Sequence, residues 1–209
     1  MLDLVIDPPG DPAWNMAADE QLIGRVRRNA APPTLRIYGW RLPAVSLGRR
    51  QPPEDLPPEM RRGISVVRRP TGGGAVVHRL DELTYALAVS RSVLPLGFSL
   101  RQLACVIHRR FRDELVGPGW IASADLQLAS EDSSGPLLFC FSSPVRGDLL
   151  YRGRKAAGSA LRAWREAFLI QGSVQGLPPA REQLQEALRE AVSSSLGTRC
   201  PYRLSKSEN

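Results

Sequence analysis

The sequence predicts an α+β fold, a mixed and largely antiparallel sheet with helices packed on it. Short runs rich in β-branched and apolar residues, bounded by Gly, Pro and polar residues, recur along the chain and read as strands. Helix-period patterns stand only at the start, middle and end, so the strand–helix alternation that a doubly wound sheet needs is missing. At 209 residues the chain suits one well-buried domain, with a core over about 12–176 and a closing helix over about 180–195.

In chain order, residues 2–6 read as a short strand. Asp11 before Pro12 marks a helix start, with the acid as N-cap and proline at the first helical position. That helix runs to about Arg27, and Trp14, Ala18, Leu22 and Val26 form the apolar stripe expected to face the core. Residues 35–40 and 44–47 read as two strands joined by a turn, and 52–58, with four prolines, as an irregular surface connection. Two apolar runs, 64–67 and 75–77, flank three consecutive glycines as strand, tight loop, strand. Residues 83–89 form another strand. Over 99–115 the helix period places Leu100, Leu103, Ile107 and Phe111 on one face, with Cys105 and His108 off it in structural or exposed positions. A polar loop at 130–135 leads into a buried strand at 137–141 and a turn through 142–147. Residues 148–152 and 155–161 are the arms of a hairpin turning at Gly153 and Arg154, and 168–174 is a last strand. The closing helix turns Leu184, Leu188 and Ala191 inward. The expected count is eight or nine strands and three helices.

The charge balance, +7, favours acidic partners. Three cysteines, Cys105, Cys140 and Cys200, at unrelated spacings form neither a disulfide framework nor a zinc site, so no metal is expected. With no secretory signal and no run of membrane-span length visible, the expected compartment is the cytoplasm. Of 28 basic residues only Lys155 and Lys206 are lysines. Lys155 sits among small residues in GRKAAGSA, where a compact ammonium fits and a guanidinium does not, which marks it for specific amine chemistry. In the glycine loop, Gly72, Gly73 and Gly74 let a ligand lie against backbone N–H groups. Arg68, Arg69 and Thr71 add donors for a phosphate or carboxylate.

Three segments then stand together: RRPTGGGAVVH at 68–78, LLFCFSSP at 137–144 and GRKAAGSA at 153–160. With NMAADE at 15–20 and ELTYAL at 82–87, the chain resembles the catalytic domain shared by lipoate-protein ligases and lipoyl or octanoyl transferases, over about residues 12–174. Biotin ligases share that fold but carry a different glycine-arginine signature, which is not found. The resemblance implies acyl transfer to the lysine of a lipoyl carrier domain. It assigns Arg68, Arg69, Thr71, Gly72, Gly73, Gly74, His78, Gly158, Ser159 and Ala160 to the substrate pocket, and Lys155 to the acyl carbonyl. Cys140-Phe141 is similar to the Cys-Phe pair of the cysteine-dependent octanoyltransferase branch, which implies that the Cys140 thiolate takes octanoate from an acyl carrier protein thioester, with no cofactor.

Three alternatives stay open. An ATP-dependent lipoate ligase would need ATP and Mg and no nucleophile, and its usual Arg-Asn-Asp element is not evident. A non-catalytic relative would act as a binding or partner subunit. Nucleic-acid binding ranks last, for want of a recognition helix. The partners implied are acyl carrier protein and the lipoyl domains of the glycine cleavage H protein or 2-oxoacid dehydrogenase subunits, with no nucleic acid and no membrane. The chain departs from the family pattern at Arg79, Leu161 and Gln171, which stand where an acid, a glutamine and a histidine are usual.

Overall fold

The computed structural model describes residues 1–94, 97–133 and 138–197. In chain order the elements are β1 (Asp3–Ile6), α1 (Pro12–Arg27), β2 (Thr34–Tyr38), β3 (Ala44–Leu47), α2 (Pro58–Gly63), β4 (Ser65–Arg68), β5 (Val76–His78), β6 (Leu83–Ser90), α3 (Leu100–Val116), β7 (Leu126–Leu128), β8 (Leu149–Tyr151), β9 (Arg154–Ala163), β10 (Ala167–Val174) and α4 (Arg181–Ser195). They form a seven-stranded sheet in the order β1-β2-β6-β10-β9-β8-β7 and a three-stranded sheet in the order β4-β3-β5. Only β1–β2 and β3–β4 are parallel, so the expected α+β architecture with a largely antiparallel sheet is what the chain builds.

Helices α3 and α4 pack on each other and on one face of the large sheet. Leu103, Ile107, Phe111 and Leu115 of α3 and Leu188 and Ala191 of α4 join Leu87, Val89 and Ile170 in an apolar core. The α3 start is fixed by a capping box: Ser99 Oγ accepts from the Gln102 N–H at 3.1 Å, and Gln102 Oε1 accepts from the Ser99 N–H at 2.8 Å. Helix α1 covers the other face of the large sheet, against β6 and β10.

Several expectations are corrected. The α1 stripe is the inward face only in part: Val26 is buried and Ala18 and Leu22 are half-buried, but Trp14 is 50% exposed, and the helix also buries Asn15, Met16, Asp19 and Ile23. The helix is rotated so that two polar side chains can bond β2 and the residues beside it. The proline-rich connection continues into α2, with Pro58 at its start, where proline costs no hydrogen bond. Strands β2 and β3 belong to different sheets, and β4 and β5 do not pair as a glycine hairpin, because β3 lies between them. The stretch at 137–141 is not a strand where it is described. Phe139 makes one bridge to Ala75, with turns on either side, and Leu137 lies outside the described residues. The hairpin turns at Arg152 and Gly153, one residue earlier than expected, both with positive φ (49° and 76°), the geometry that suits a two-residue hairpin loop.

Candidate active site

Lys155 is the second residue of β9, and its side chain lies over Gly158 of the same strand. Its ammonium pairs with Asp148 Oδ2 at 2.6 Å, donates to the Cys140 carbonyl oxygen at 2.8 Å and lies 3.4 Å from Cys140 Sγ. The side chains of Lys155 and Asp148 are 1% and 4% exposed, so each ion holds the other in a place where neither could sit unpaired. Gly158 makes the arrangement possible. A Cβ there would run into Lys155 Cε and Nζ and crowd Asp148 Oδ1.

Cys140 sits on a turn. Its N–H donates to the Ala75 carbonyl at 2.8 Å, and the Ala75 N–H donates to the Leu138 carbonyl at 2.8 Å. Ala75, the residue after the three glycines, thus clamps the cysteine turn on both sides, and Phe141 places its ring 5.4 Å from the Lys155 ammonium.

Behind Lys155, His108 of α3 is buried. Its Nδ1 is 2.7 Å from the Gly147 carbonyl and must carry the proton, so Nε2 accepts from Ser159 Oγ at 2.8 Å. Burial holds its pKa below the usual histidine range. The Tyr85 hydroxyl bonds Ser159 Oγ at 2.7 Å and is pushed up to about 12 by burial. Tyr85 and Ser159 both pair with Gly172, and a Cβ on Gly172 would collide with the Tyr85 ring that crosses it.

The two arginines of the glycine loop spend all but one of their hydrogen bonds on backbone, the exception being Arg69 to Ser46 Oγ. Arg69 is buried and donates to the carbonyls of Ser46, Gly72 and Gly74 at 2.8, 2.6 and 2.7 Å, which sets the loop's shape. Burial pulls its pKa down to about 10, and the charge of an ionised Cys140 would oppose that fall. Its Nε is buried without a partner. Arg68 is exposed and donates to the carbonyls of Gly48, Arg49 and Gln51. Thr71 Oγ1 donates to Gln171 Oε1 at 2.7 Å.

Two buried polar chains frame the pocket. In the first, Gln171 Nε2 and the Tyr38 hydroxyl donate to Asp19 Oδ2 at 2.6 and 2.8 Å, while Arg36 donates to Asp19 Oδ1 at 2.6 Å and to Asp7 Oδ2 at 2.6 Å. Burial raises the Asp19 pKa against the pull of Arg36. In the second, His78 stacks on Trp40 with ring centroids 3.8 Å apart, and its Nδ1 and Nε2 lie 2.7 Å from Glu82 Oε1 and from Ser46 Oγ.

A narrow pocket opens between the two sheets, walled by Trp40, Val76, Arg69, Cys140, Ala160 and Gly172. Cys140, Arg69, His78, Gly158, Ser159 and Ala160 line that space. Lys155 meets it through Cys140 but lines a separate pocket with Arg79 and Phe141, and Gly72 and Gly73 line another. Arg68, Thr71 and Gly74 are not in the wall of the narrow pocket. Asp148, Glu82, Asp19, Arg36 and Ser46 were not singled out from sequence. Only the runs NMAADE and ELTYAL pointed toward Asp19 and Glu82. Among the described residues no group of three or more His, Cys, Asp or Glu side chains is placed to hold a metal ion, and no helix is long and apolar enough to cross a membrane.

The sequence model of the lipoyl protein ligase A/B catalytic domain matches residues 11–194. Octanoyltransferase LipM of Geobacillus kaustophilus is 35% identical over 170 residues, which are 78% of this chain and 61% of that protein. Octanoyltransferase LipM of Kyrpidia tusciae is 30% identical over an alignment 238 positions long, gaps included, that covers 91% of this chain and 85% of that protein. The chain thus spans about 60% of the length of the first of these relatives. Among solved structures, a lipoate-protein ligase A bound with ATP superposes with a TM-score of 0.71 at 20% identity, over 99% of this chain and 89% of the other. One from an archaeal lipoylation system of Thermoplasma acidophilum, a bipartite lipoate protein ligase and its E2 lipoyl domain, gives 0.65 at 18%, over 98% and 87%. At such identities the likeness is one of fold.

Proposed function

The chain belongs to the lipoyl protein ligase A/B catalytic-domain family, and on that premise we propose that it is a cysteine-dependent acyltransferase moving an octanoyl group from a carrier-protein thioester to the lysine of a lipoyl domain. The observation that carries this reading is Lys155 Nζ at 3.4 Å from Cys140 Sγ, with Asp148 fixing the ammonium from the other side. An adenylate-forming ligase needs no sulfur there. The likeness to octanoyltransferases favours the same branch.

In the first half-reaction the Cys140 thiolate attacks the thioester carbonyl. The oxygen takes up the electron pair beside the Lys155 ammonium, and the carrier thiolate leaves as the Cys140 thioester forms. The acyl chain is assigned to the narrow pocket beside Cys140, between Trp40, Val76 and Ala160. In the second half-reaction the acceptor amine attacks the enzyme thioester. The Cys140 thiolate leaves and the amide forms. Of the two protons the acceptor ammonium gives up, one can go to the departing sulfur and one to solvent. Asp148 holds the Lys155 side chain aimed at one point throughout.

The test is transfer itself. With octanoyl carrier protein, a lipoyl domain and no ATP, the domain should gain one octanoyl mass. A product that forms only from free octanoate or lipoate with ATP and Mg contradicts the proposal and gives Lys155 to an adenylate phosphate instead.

A further inference from the structure

A second, wider pocket of about 480 Å³ lies beside the glycine loop, bounded by Arg49, Arg50, Gln51, Gly72, Gly73 and Arg162, with Leu161 and Trp164 in its wall. Its cations have no acid in direct contact with them. None of Arg49, Arg50 and Arg162 has a carboxylate within 4 Å among the described residues, whereas Arg79 and Arg152, which line the pocket on the far side of Lys155, are matched by Asp81 and Asp125. Arg162 is held in place all the same. It donates to the Pro70 carbonyl at 3.0 Å and lies 4.1 Å over the Trp164 ring, which also carries Arg27 at 5.3 Å. Burial, then the like charges of Arg49 and Arg27, lower its pKa against the smaller opposing pull of Glu20. A cluster of like charges fixed by neutral partners is stabilised by an anion that enters it.

This basin is also tied to the cysteine turn. Gln51, on its rim, donates from Nε2 to the Leu138 carbonyl at 3.2 Å, and Cys140 is two residues further on, a span of at most about 7 Å. We propose that the basin binds the phosphate of the pantetheine arm that delivers the acyl thioester to Cys140. This rests on the transferase reading above. A phosphodiester seated between Arg49, Arg50 and Arg162 leaves the flexible arm to run past Gln51 to the turn, and it gives the enzyme a way to tell a carrier-borne thioester from any other.

Arg49→Glu with Arg50→Glu reverses two exposed charges and leaves Arg162 on Pro70. Equilibrium binding of 4′-phosphopantetheine and of pantetheine tests the site without turnover. Wild type should prefer the phosphorylated arm by about tenfold, and the double variant should lose that preference. Equal binding of both arms to wild type, or a preference that survives charge reversal, overturns the proposal. In turnover, kcat/KM for octanoyl carrier protein relative to octanoyl-N-acetylcysteamine, which has no phosphate, should fall about tenfold in the variant. An unchanged ratio overturns it, and so does a loss confined to KM for the lipoyl domain, which would give the basin to the acceptor. A wild type that transfers from neither donor contradicts the transferase reading instead, and the binding comparison still decides the phosphate site.

Discussion

On one face of the seven-stranded sheet, α3 and α4 bury Ile107, Phe111, Leu188 and Ala191 against Leu87, Val89 and Ile170. On the other, α1 buries Asn15 and Asp19, and the small sheet contributes Ser46 and His78. The first face is mostly apolar, with the His108–Ser159–Tyr85 chain as its polar exception. The second sets nearly every buried polar atom against a partner: Asp19 takes bonds from Arg36, Tyr38 and Gln171, and Glu82 from His78, Thr84 and Gln175. Such a network fixes each member in one orientation, which a loose apolar face cannot do. The candidate site opens on the networked side, and the larger apolar cluster lies on the other.

Phe111→Ala tests that division most strongly. It should cost about 3–5 kcal/mol of unfolding free energy, because the ring is fully buried, while transfer per folded molecule stays near wild type. Denaturant melts and assays on the same sample give both readings, and a loss of turnover matching the loss of stability would erase the division. Lys155→Arg is the opposite case. It keeps the charge but overfills the slot above Gly158, so kcat should drop about 100-fold in a protein whose melt still shows one cooperative transition. Wild-type turnover in that variant removes Lys155 from the chemistry.

A smaller effect is expected where the two faces meet. His108 reaches from α3 to Gly147, next to Asp148, and burial depresses its pKa below the unfolded value near 6.5. The folded state then binds fewer protons than the unfolded chain below about pH 6.5, so this contribution is full above that pH and declines as pH falls toward the folded value. His108→Gln, which can still donate to Gly147, should lose less stability than wild type between about pH 7.5 and 5.5. An equal loss in both contradicts a neutral buried imidazole.

The apolar face was legible from residue order alone. Leu103, Ile107 and Phe111, and Leu184, Leu188 and Ala191, repeat at helical spacing and are buried as their period requires. The networked face was not, for the same physical reason. Periodicity ranks positions by hydrophobicity, so it chose Trp14 over Asn15 and Asp19, whose burial depends on Arg36, 17 to 21 residues away in the chain. The 137–141 run looked like a buried strand because its residues are apolar, yet at Phe139 the backbone bonds Ala75 through one bridge and turns away. The likeness of GRKAAGSA and LLFCFSSP to known segments put Lys155 and Cys140 in one site. Nothing in the spacing marked Asp148, His108 or Ser46, because their roles arise from contacts between distant strands and helices.

The central claim is that Cys140 carries the acyl group, and intact mass after incubation with octanoyl carrier protein, without ATP and without acceptor, tests it most directly. The account predicts one added octanoyl group that hydroxylamine removes, present in Cys105→Ala and absent from Cys140→Ala. Cys140→Ser should show little adduct, since its hydroxyl is a far weaker acid than a thiol. No adduct on wild type, together with full ATP-dependent product from Cys140→Ala, would contradict the account.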